Sequence, residues 1–536
     1  MEILKLLVAN RGEIAVRVFR TCRKLGIATV AVAAADDRGA LHTRVADETV
    51  EIAGYLHSEE YVRAAKHVRA DAIHPGYGFL AENADFAEAV HAAGLQFVGP
   101  PPEAMRLGGD KLEAKRIALE AGVPVVPTGE PAEIGYPLIV KAAAGGGGRG
   151  MRVVRRREEI EDALAAARSE AGAAFGDDRI FCERYLERPR HVEIQLIGDG
   201  HGHVGALGER ECSIQRRHQK VLEEAPSPAL DAALREEMSA AATAFAAAVG
   251  YRNLGTAEFM LDGRNFYFLE LNARIQVEHP VTEQVTGRDL VLDQLEITAG
   301  RSPAPGYDFN GHAVEVRLYA EDPRTFLPQA GRVERLRLPA GLRIDAGVEA
   351  GDDVGVAYDP LIAKLIAHEA TREDAFRRLA EALAATEIRG VTTNLPFLRW
   401  LASHPVVRAG RTTTAFLADH PPFSAPPREP SGPWRGAFRL NLPAPPPHAA
   451  PDVDAAAAEH GPVGEQSALT APMPGKVIRV QATAGDRVHP RDTLLVLEAM
   501  KMETPVVSPY EAVVRAVHVA EGDLVGGGQL LVELEE

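Results

Sequence analysis

Eleven prolines fall between Pro421 and Pro451, in a stretch that contains "PAPPP" and runs on into the Ala-rich "DVDAAAAEHGPVGEQ". Such a segment cannot bury enough apolar surface to offset the entropy of ordering it, so it divides the chain into separate folded bodies. It reads as a linker over residues 421–466. At about 40 residues it would span roughly 35 Å as a flexible coil and about three times that as extended polyproline II.

Beyond the linker the texture becomes alternating β pattern, and an internal repeat is visible. "VIRVQATAGDRVHPRDTLLVLE" at 477–498 aligns with "VRAVHVAEGDLVGGGQLLVELE" at 514–535, pairing Gly485-Asp486 with Gly522-Asp523 and Leu494 with Leu531. Two copies of one strand-turn-strand unit imply a small β-sandwich with pseudo-twofold symmetry. "EAMKM" (498–502) ends the first copy, so Lys501 is expected on an exposed hairpin. A lysine between two methionines is, by itself, most simply a surface residue.

Ahead of the linker, residues 1 to about 100 alternate short apolar runs ("KLLVAN", "IATVAVAA", "ADAIHPGYG") with helical stretches, the pattern of a parallel α/β sheet. From about 105 to 320, strand-like "PLIVKAA", "HVEIQLIGD" and "NFYFLELN" are separated by Ala-rich helices, which reads as α+β. The stretch from 325 to about 418 continues this body; in "TREDAFRRLAEALAAT" Thr371 is placed to cap a helix with Asp374 at N3.

A formal net charge of −17 opposes nonspecific binding to nucleic acid or to an anionic membrane. No apolar run approaches the roughly 18 residues of a membrane span. The first strand-like run begins at residue 3, which leaves no room for a targeting peptide and points to the cytoplasm. Cys22, Cys182 and Cys212 lack metal-ligand spacing and read as buried small hydrophobes in a reducing compartment.

Five stretches carry chemistry. In "KAAAGGGGRGM" (141–151) four glycines allow backbone N–H groups to wrap phosphate oxygens, with Lys141 and Arg149 adding charge. It lacks the GK[ST] ending of a Walker loop, and a strand on either side favours a glycine-rich hairpin over a nucleotide rather than a disordered linker. In "GTAEFMLDG" and "FYFLELNARIQVEHPVTE", Glu258 and Glu270 sit on adjacent apolar strands, with Asn272 on the face of Glu270: hard oxygen ligands suited to Mg²⁺ carrying nucleotide phosphates. Arg274, Gln276 and Glu278 continue the i, i+2 spacing as an anion clamp with a carboxylate beside it. "ERECSIQRRHQKVLEEAP" adds Gln215, His218, Gln219 and Lys220, positive charge for a small anion. Arg317 in "VEVRLYAEDP" is a lone strand arginine, a type usually found at the surface. "HPGYGFLAEN" has turn chemistry that suits a structural role as well as a substrate-lining one.

These motifs together closely resemble biotin carboxylase, the ATP-grasp component of biotin-dependent carboxylases. "LVANRGEIAVRV", "HPGYGFLAEN", "GDK", "KAAAGGGGRGM", "RHVEIQL", "CSIQRRHQK", "LELNARIQVEHPVTE", "VEVRLYAEDP" and "YDPLIAKL" occur in that family's order over about residues 3–420. "APMPGKV" with "EAMKMETPV" resembles a biotin carboxyl carrier domain. Both in one polypeptide are similar to the alpha subunit of an acyl-CoA carboxylase.

The resemblance implies a multidomain α/β and α+β fold: an N-terminal Rossmann-like (pre-ATP-grasp) domain at 1–105, an ATP-grasp domain at 106–320 with a lid at about 124–184, a biotin carboxylase C-terminal domain at 321–420, the linker at 421–466, and a β-sandwich (biotinyl/lipoyl-like) carrier domain at 467–536. It assigns ATP to Lys111, Lys141, Gly146, Gly147, Glu183, His191, Gln215, His218, Glu258 and Glu270, and Mg²⁺ or Mn²⁺ to Glu258, Glu270 and Asn272. It assigns bicarbonate to Lys220, Arg274, Gln276 and the Val277 backbone, with Glu278 as general base and Arg317 stabilising the biotin anion. Biotin is expected on Lys501, attached by a biotin protein ligase.

The implied activity is ATP- and bicarbonate-dependent carboxylation of that biotin through carboxyphosphate, supplying a separate carboxyltransferase (beta) subunit, and the family commonly forms homo-oligomers through the carboxylase body. A pyruvate carboxylase subunit shares the half reaction, and a non-catalytic biotin-carrying scaffold is a reading from another class, which the intact charged motifs oppose. Two departures stand out. "PTGEPAEIGYPLIV" between Val126 and Lys141 is shorter than the family's usual segment, which trims the lid. The linker is also too short to contain the folded domain that docks the beta subunit in some acyl-CoA carboxylase alpha subunits.

Overall fold

The computed structural model describes residues 2–143, 151–175, 177–216, 219–303, 306–355, 357–423, 468–473, 475–499, 502–526 and 528–535. Gly146, Gly147, His218, Lys501 and nearly all of the proline-rich linker lie outside these residues.

The N-terminal α/β pattern folds as expected, into a five-stranded parallel sheet. Its strands run in the order Glu48–Glu51, Ala28–Ala33, Lys5–Val8, Ala72–His74, Gln96–Phe97. The order reverses between Lys5–Val8 and Ala72–His74, and the carboxyl ends of strands at such a switch point form a crevice. "ANRGE" and "HPGYG" both leave their strands there. Asn10 donates through Nδ2 to the carbonyls of Pro75 and Tyr77, each at 2.8 Å, and so fixes the second turn.

Next comes a small antiparallel sheet of Arg152–Val154, Leu138–Ala142 and Ile180–Arg184, covered by the helix Ile160–Phe175. Leu138, Val140, Val154, Ile160, Ala167 and Cys182 close its own core. The short segment before it holds a single helical turn, Pro131–Ile134. Strands Leu138–Ala142 and Arg152–Val154 pair antiparallel on either side of the glycine run.

The largest element is an eight-stranded antiparallel sheet. Its order is Asn265–Asn272, Asn253–Asp262, Arg190–Gly198, Val204–Arg216, Gln219–Ala225, His312–Tyr319, Leu361–Glu369, Arg343–Ala346. It is continuous across residue 320, because His312–Tyr319 pairs with Gln219–Ala225 on one side and Leu361–Glu369 on the other. Thr371 caps the helix Arg372–Ala385 by accepting from the Asp374 N–H.

The C-terminal unit is a sandwich of two four-stranded antiparallel sheets, with Met473, Val477, Leu494, Leu497, Leu531 and Leu534 in its core. The repeat appears as geometry. Gly485 and Gly522 both have φ +97°, and Asp486 and Asp523 each accept a backbone N–H three residues back, from Thr483 and Ala520. Only glycine adopts that conformation without strain. Thr493–Ala499 and Met502–Val507 pair down to Ala499 opposite Met502. Cys22, Cys182 and Cys212 are buried free thiols.

Candidate active site

Antiparallel register builds the site. Glu258 stands opposite Glu193 on one neighbouring strand and opposite Glu270 on the other, so three carboxylates form one row across three strands. Residues directly opposite share a face, and like charges so placed repel. Cations therefore have to enter the row, and Lys220 does so from the next hairpin. Its Nζ lies 2.7 Å from Glu258 Oε1 and 2.6 Å from Glu278 Oε1, and also pairs with Glu193. The fully buried Arg210 takes the other Glu193 oxygen and donates to Gln195 (2.7 Å) and Thr282 (2.9 Å). Buried charges cost several kcal/mol each unless paired in this way.

The expectation that the Glu270 strand carries on through Glu278 is not met. The strand stops at Asn272, residues 273–277 form an irregular loop, and Glu278 occupies the N-cap position of the helix His279–Thr286. Pro280 accounts for the change: it lacks the N–H a ladder needs and suits a first helical turn. The side chains converge all the same. Arg274 donates to Asn272 Oδ1 (3.1 Å) and Gln276 Oε1 (3.0 Å), and its Nε lies 3.1 Å from Glu82.

The surface reading of Arg317 is also overturned. Every residue of the His312–Tyr319 strand is buried, and the Arg317 guanidinium pairs with Glu223 and lies 3.1 Å from Glu278 Oε2. Both faces of this strand are covered, so it has no solvent face on which to leave an arginine.

Electrostatics separate the carboxylates. Burial opposes ionisation of Glu278, but Lys220, Arg317 and Arg210 outweigh it and hold the group well below the usual carboxylate range. Glu258 is likewise depressed, against burial, by Lys220 and His191, whose Nε2 is 2.8 Å from Glu258 Oε2. Glu270 goes the other way: burial and repulsion from Glu258 raise it, and Lys111 only partly offsets them. Two facing carboxylates of which one resists ionisation are a pair that a divalent cation between them would neutralise. The buried Asn272 Nδ2 and Gln276 Nε2 have no partner among the described residues, which leaves two amide donors fit for an anionic ligand.

At the other end, Lys141 leaves the Leu138–Ala142 strand towards the glycine run and lies 2.6 Å from Glu183 Oε2, whose second oxygen pairs with Lys115. Burial, with repulsion from Lys111, pushes Lys141 down to about 8. Lys111 opens the helix Lys111–Glu120, which Asp110 caps, and its backbone N–H donates to Ala143. Gln215 bonds to His191 Nδ1 and to the Cys212 carbonyl (2.9 Å). Sequence reasoning missed Glu193, Arg210, Glu223, Glu82 and Lys115. A lone acid inside apolar "HVEIQL" was the available signal for Glu193.

A carboxylate row in an antiparallel sheet, with lysines gathered on Glu183 from a small strand-and-helix unit and from the helix before it, is the arrangement of an ATP-grasp enzyme. Comparisons narrow it. Residues 2–105 match the biotin carboxylase N-terminal domain, 110–303 the carbamoyl-phosphate synthase L chain ATP-binding domain, 315–419 the biotin carboxylase C-terminal domain, and 467–534 the biotin-requiring enzyme family. A biotin carboxylase of Halalkalibacterium halodurans is 48% identical over 440 residues, covering 78% of this chain and 97% of that protein. The propionyl-CoA carboxylase alpha chain of Ruegeria pomeroyi is 46% identical over 463 residues, 78% of this chain and 68% of its own.

Among solved structures, the biotin carboxylase domain dimer of Hydrogenobacter thermophilus 2-oxoglutarate carboxylase, in complex with magnesium ADP and bicarbonate, superposes with a TM-score of 0.76. It is 43% identical and covers 78% of this chain and 98% of that one. The chain belongs to the biotin carboxylase family, carries a biotin carrier domain after its catalytic body, and is homologous to acyl-CoA carboxylase alpha subunits. It is an enzyme, a biotin carboxylase, that uses ATP, Mg²⁺ and biotin. No helix among the described residues is long and apolar enough to cross a membrane.

Proposed function

We propose that Lys220, Arg274, Gln276 and the Val277 backbone bind bicarbonate, and that Glu278 removes its proton. The observation that carries this reading is Glu278 itself, fully buried yet kept ionised by Lys220 and Arg317, beside an amide of Gln276 that awaits a partner. The proton passes to Glu278 as a bicarbonate oxygen attacks the γ-phosphorus and the bond to the ADP oxygen breaks, which yields carboxyphosphate. Lys111 and Lys141 neutralise phosphate charge, while Glu183, His191, Gln215, Gly146, Gly147 and His218 complete the nucleotide site. Glu258, Glu270 and Asn272 hold the cation, Mg²⁺ or Mn²⁺, which supplies charge neutralisation at the phosphates. Carboxyphosphate breaks to CO2 and phosphate, the phosphate takes the ureido proton of biotin, and Arg317 steadies the resulting anion while its nitrogen attacks CO2.

Biotin is carried on Lys501, where a biotin protein ligase attaches it, and the linker at 421–466 gives the carrier its reach. The carboxybiotin is supplied to a separate carboxyltransferase subunit of an acyl-CoA carboxylase, in keeping with the likeness to the propionyl-CoA carboxylase alpha chain. The catalytic body self-associates, and the protein works in the cytoplasm. Purified protein is expected to release phosphate from ATP only when bicarbonate is supplied. Lys501→Ala is expected to abolish avidin binding while leaving the reaction with free biotin. Bicarbonate-independent phosphate release, or avidin binding retained by the variant, would count against the respective assignment.

A further inference from the structure

Three motifs carry none of the chemistry above: "ANRGE", "HPGYG" and "YDPLIAKL". They meet beneath the bicarbonate loop. Lys364, fully buried in the strand Leu361–Glu369, stands opposite Arg317 on one side and Asp345 on the other. Its Nζ donates to the Val277 carbonyl at 2.7 Å and lies 3.1 Å from Glu13 Oε1. Glu13, in the first turn of the helix Gly12–Leu25, also accepts from the Tyr77 hydroxyl. Its backbone N–H would lie 2.5 Å from a Cβ at Gly347, so the helix start packs directly on a position that only glycine fits. One residue back, His279 Nδ1 meets the Gln276 carbonyl at 2.8 Å. Two consecutive carbonyls of the loop are thus fastened by buried side chains.

In a trans peptide the C=O and the following N–H point in opposite directions. Holding the Gln276 carbonyl aims the Val277 N–H, and holding the Val277 carbonyl aims the Glu278 N–H and sets the Cα from which the Glu278 carboxylate projects. We infer that Lys364 is a positioning residue for bicarbonate: anchored by Glu13 and Tyr77 at the switch point of the N-terminal sheet, it sets the orientation of the Val277–Glu278 peptide. The inference rests on the reading of Arg274, Gln276, Val277 and Glu278 as the bicarbonate site. It gives the N-terminal domain a part in catalysis without contact with any substrate.

Lys364→Met strands the Glu13 carboxylate in the interior, so the single variant is expected to be unstable. The double variant Lys364→Met/Glu13→Gln removes both charges and keeps the shape. Steady-state phosphate release by the full chain with free biotin is then measured against bicarbonate and, separately, against ATP. The double variant is expected to recover most of the lost melting temperature and to show a bicarbonate KM raised about tenfold, equivalent to one misdirected hydrogen bond, with the ATP KM within about twofold of wild type. An unchanged bicarbonate KM, or equal rises in both, overturns the inference. Arg274→Ala separates the two levels. If it leaves the bicarbonate KM unchanged, the site reading falls and the inference with it; if it raises that KM and the Lys364 variants do not, the inference alone falls.

Discussion

Replacing Glu278 by glutamine tests the proposed base with little change of shape. The carboxylate accepts from Lys220 at 2.6 Å and from Arg317 at 3.1 Å. A glutamine retains one acceptor oxygen and must turn its NH2 towards one of the two cations, losing a charge-assisted hydrogen bond of about 1.5–3 kcal/mol. The cations stay compensated, since Lys220 keeps Glu193 and Glu258 and Arg317 keeps Glu223. The fold and the nucleotide site are therefore expected to survive, with ATP affinity within about threefold of wild type. The chemical step loses its proton acceptor, which typically costs about 10²–10⁴ in rate, or roughly 2.7–5.5 kcal/mol of barrier. Because Lys220, Arg317 and Arg210 outweigh burial and keep Glu278 ionised far into the acid range, the wild-type rate is expected to show no inflection from this group above about pH 5. The assay is bicarbonate-dependent phosphate release at saturating Mg-ATP, with nucleotide binding titrated in parallel. A variant that keeps ATP affinity and works within about tenfold of wild type would refute Glu278 as the base.

Two further outcomes concern the switch point of the N-terminal sheet. His74 is fully buried with Nδ1 accepting from Gly76 N–H and Nε2 facing Gln294 Oε1, both at 3.0 Å, and burial pushes it down from 6.5 to about 4. Between those values the unfolded chain binds a proton that the folded chain excludes. Stability therefore falls on acidification, by about 2 kcal/mol between pH 7 and pH 5, and denaturation of His74→Gln is expected to show a slope shallower by that amount; an unaltered slope would remove His74 as the cause. Gly76 and Gly78 both have positive φ, but a Cβ at Gly76 would lie 2.8 Å from Asn10 Nδ2, whereas one at Gly78 meets nothing within 4 Å. Gly78→Ala is expected to cost about 1 kcal/mol, from backbone strain alone, and Gly76→Ala about 2–4 kcal/mol, because the two Asn10 hydrogen bonds go as well; equal losses in thermal denaturation would contradict the Asn10 clamp.

What could be read from the chain divides along a physical line. Glu258, Glu270 and Asn272 were legible because strand alternation puts them on a known face, and Gly485 with Gly522 because a repeat forces equal turns. Arg274, Gln276 and Glu278 were legible as chemistry but not as structure: their i, i+2 spacing reads as strand, while Pro280 turns the chain into a helix. Arg317, Glu193, Glu223 and Lys364 belong to a further class. Each is a charge on a buried strand, and its meaning depends on which strands become neighbours: 190–198 beside 253–262, and 312–319 between 219–225 and 361–369. Local pattern decides which face a side chain takes, whereas strand order decides which charge faces it, and strand order comes from long-range packing that no window of sequence contains. A buried lysine in "LIAKLIAHE" therefore looks like an error of patterning until Val277 and Glu13, far apart in sequence, arrive at its ammonium. Charged residues that break an apolar strand in this chain are thus better read as unassigned partners than as surface positions, and Lys364 reaches the proposed base through the backbone that carries it.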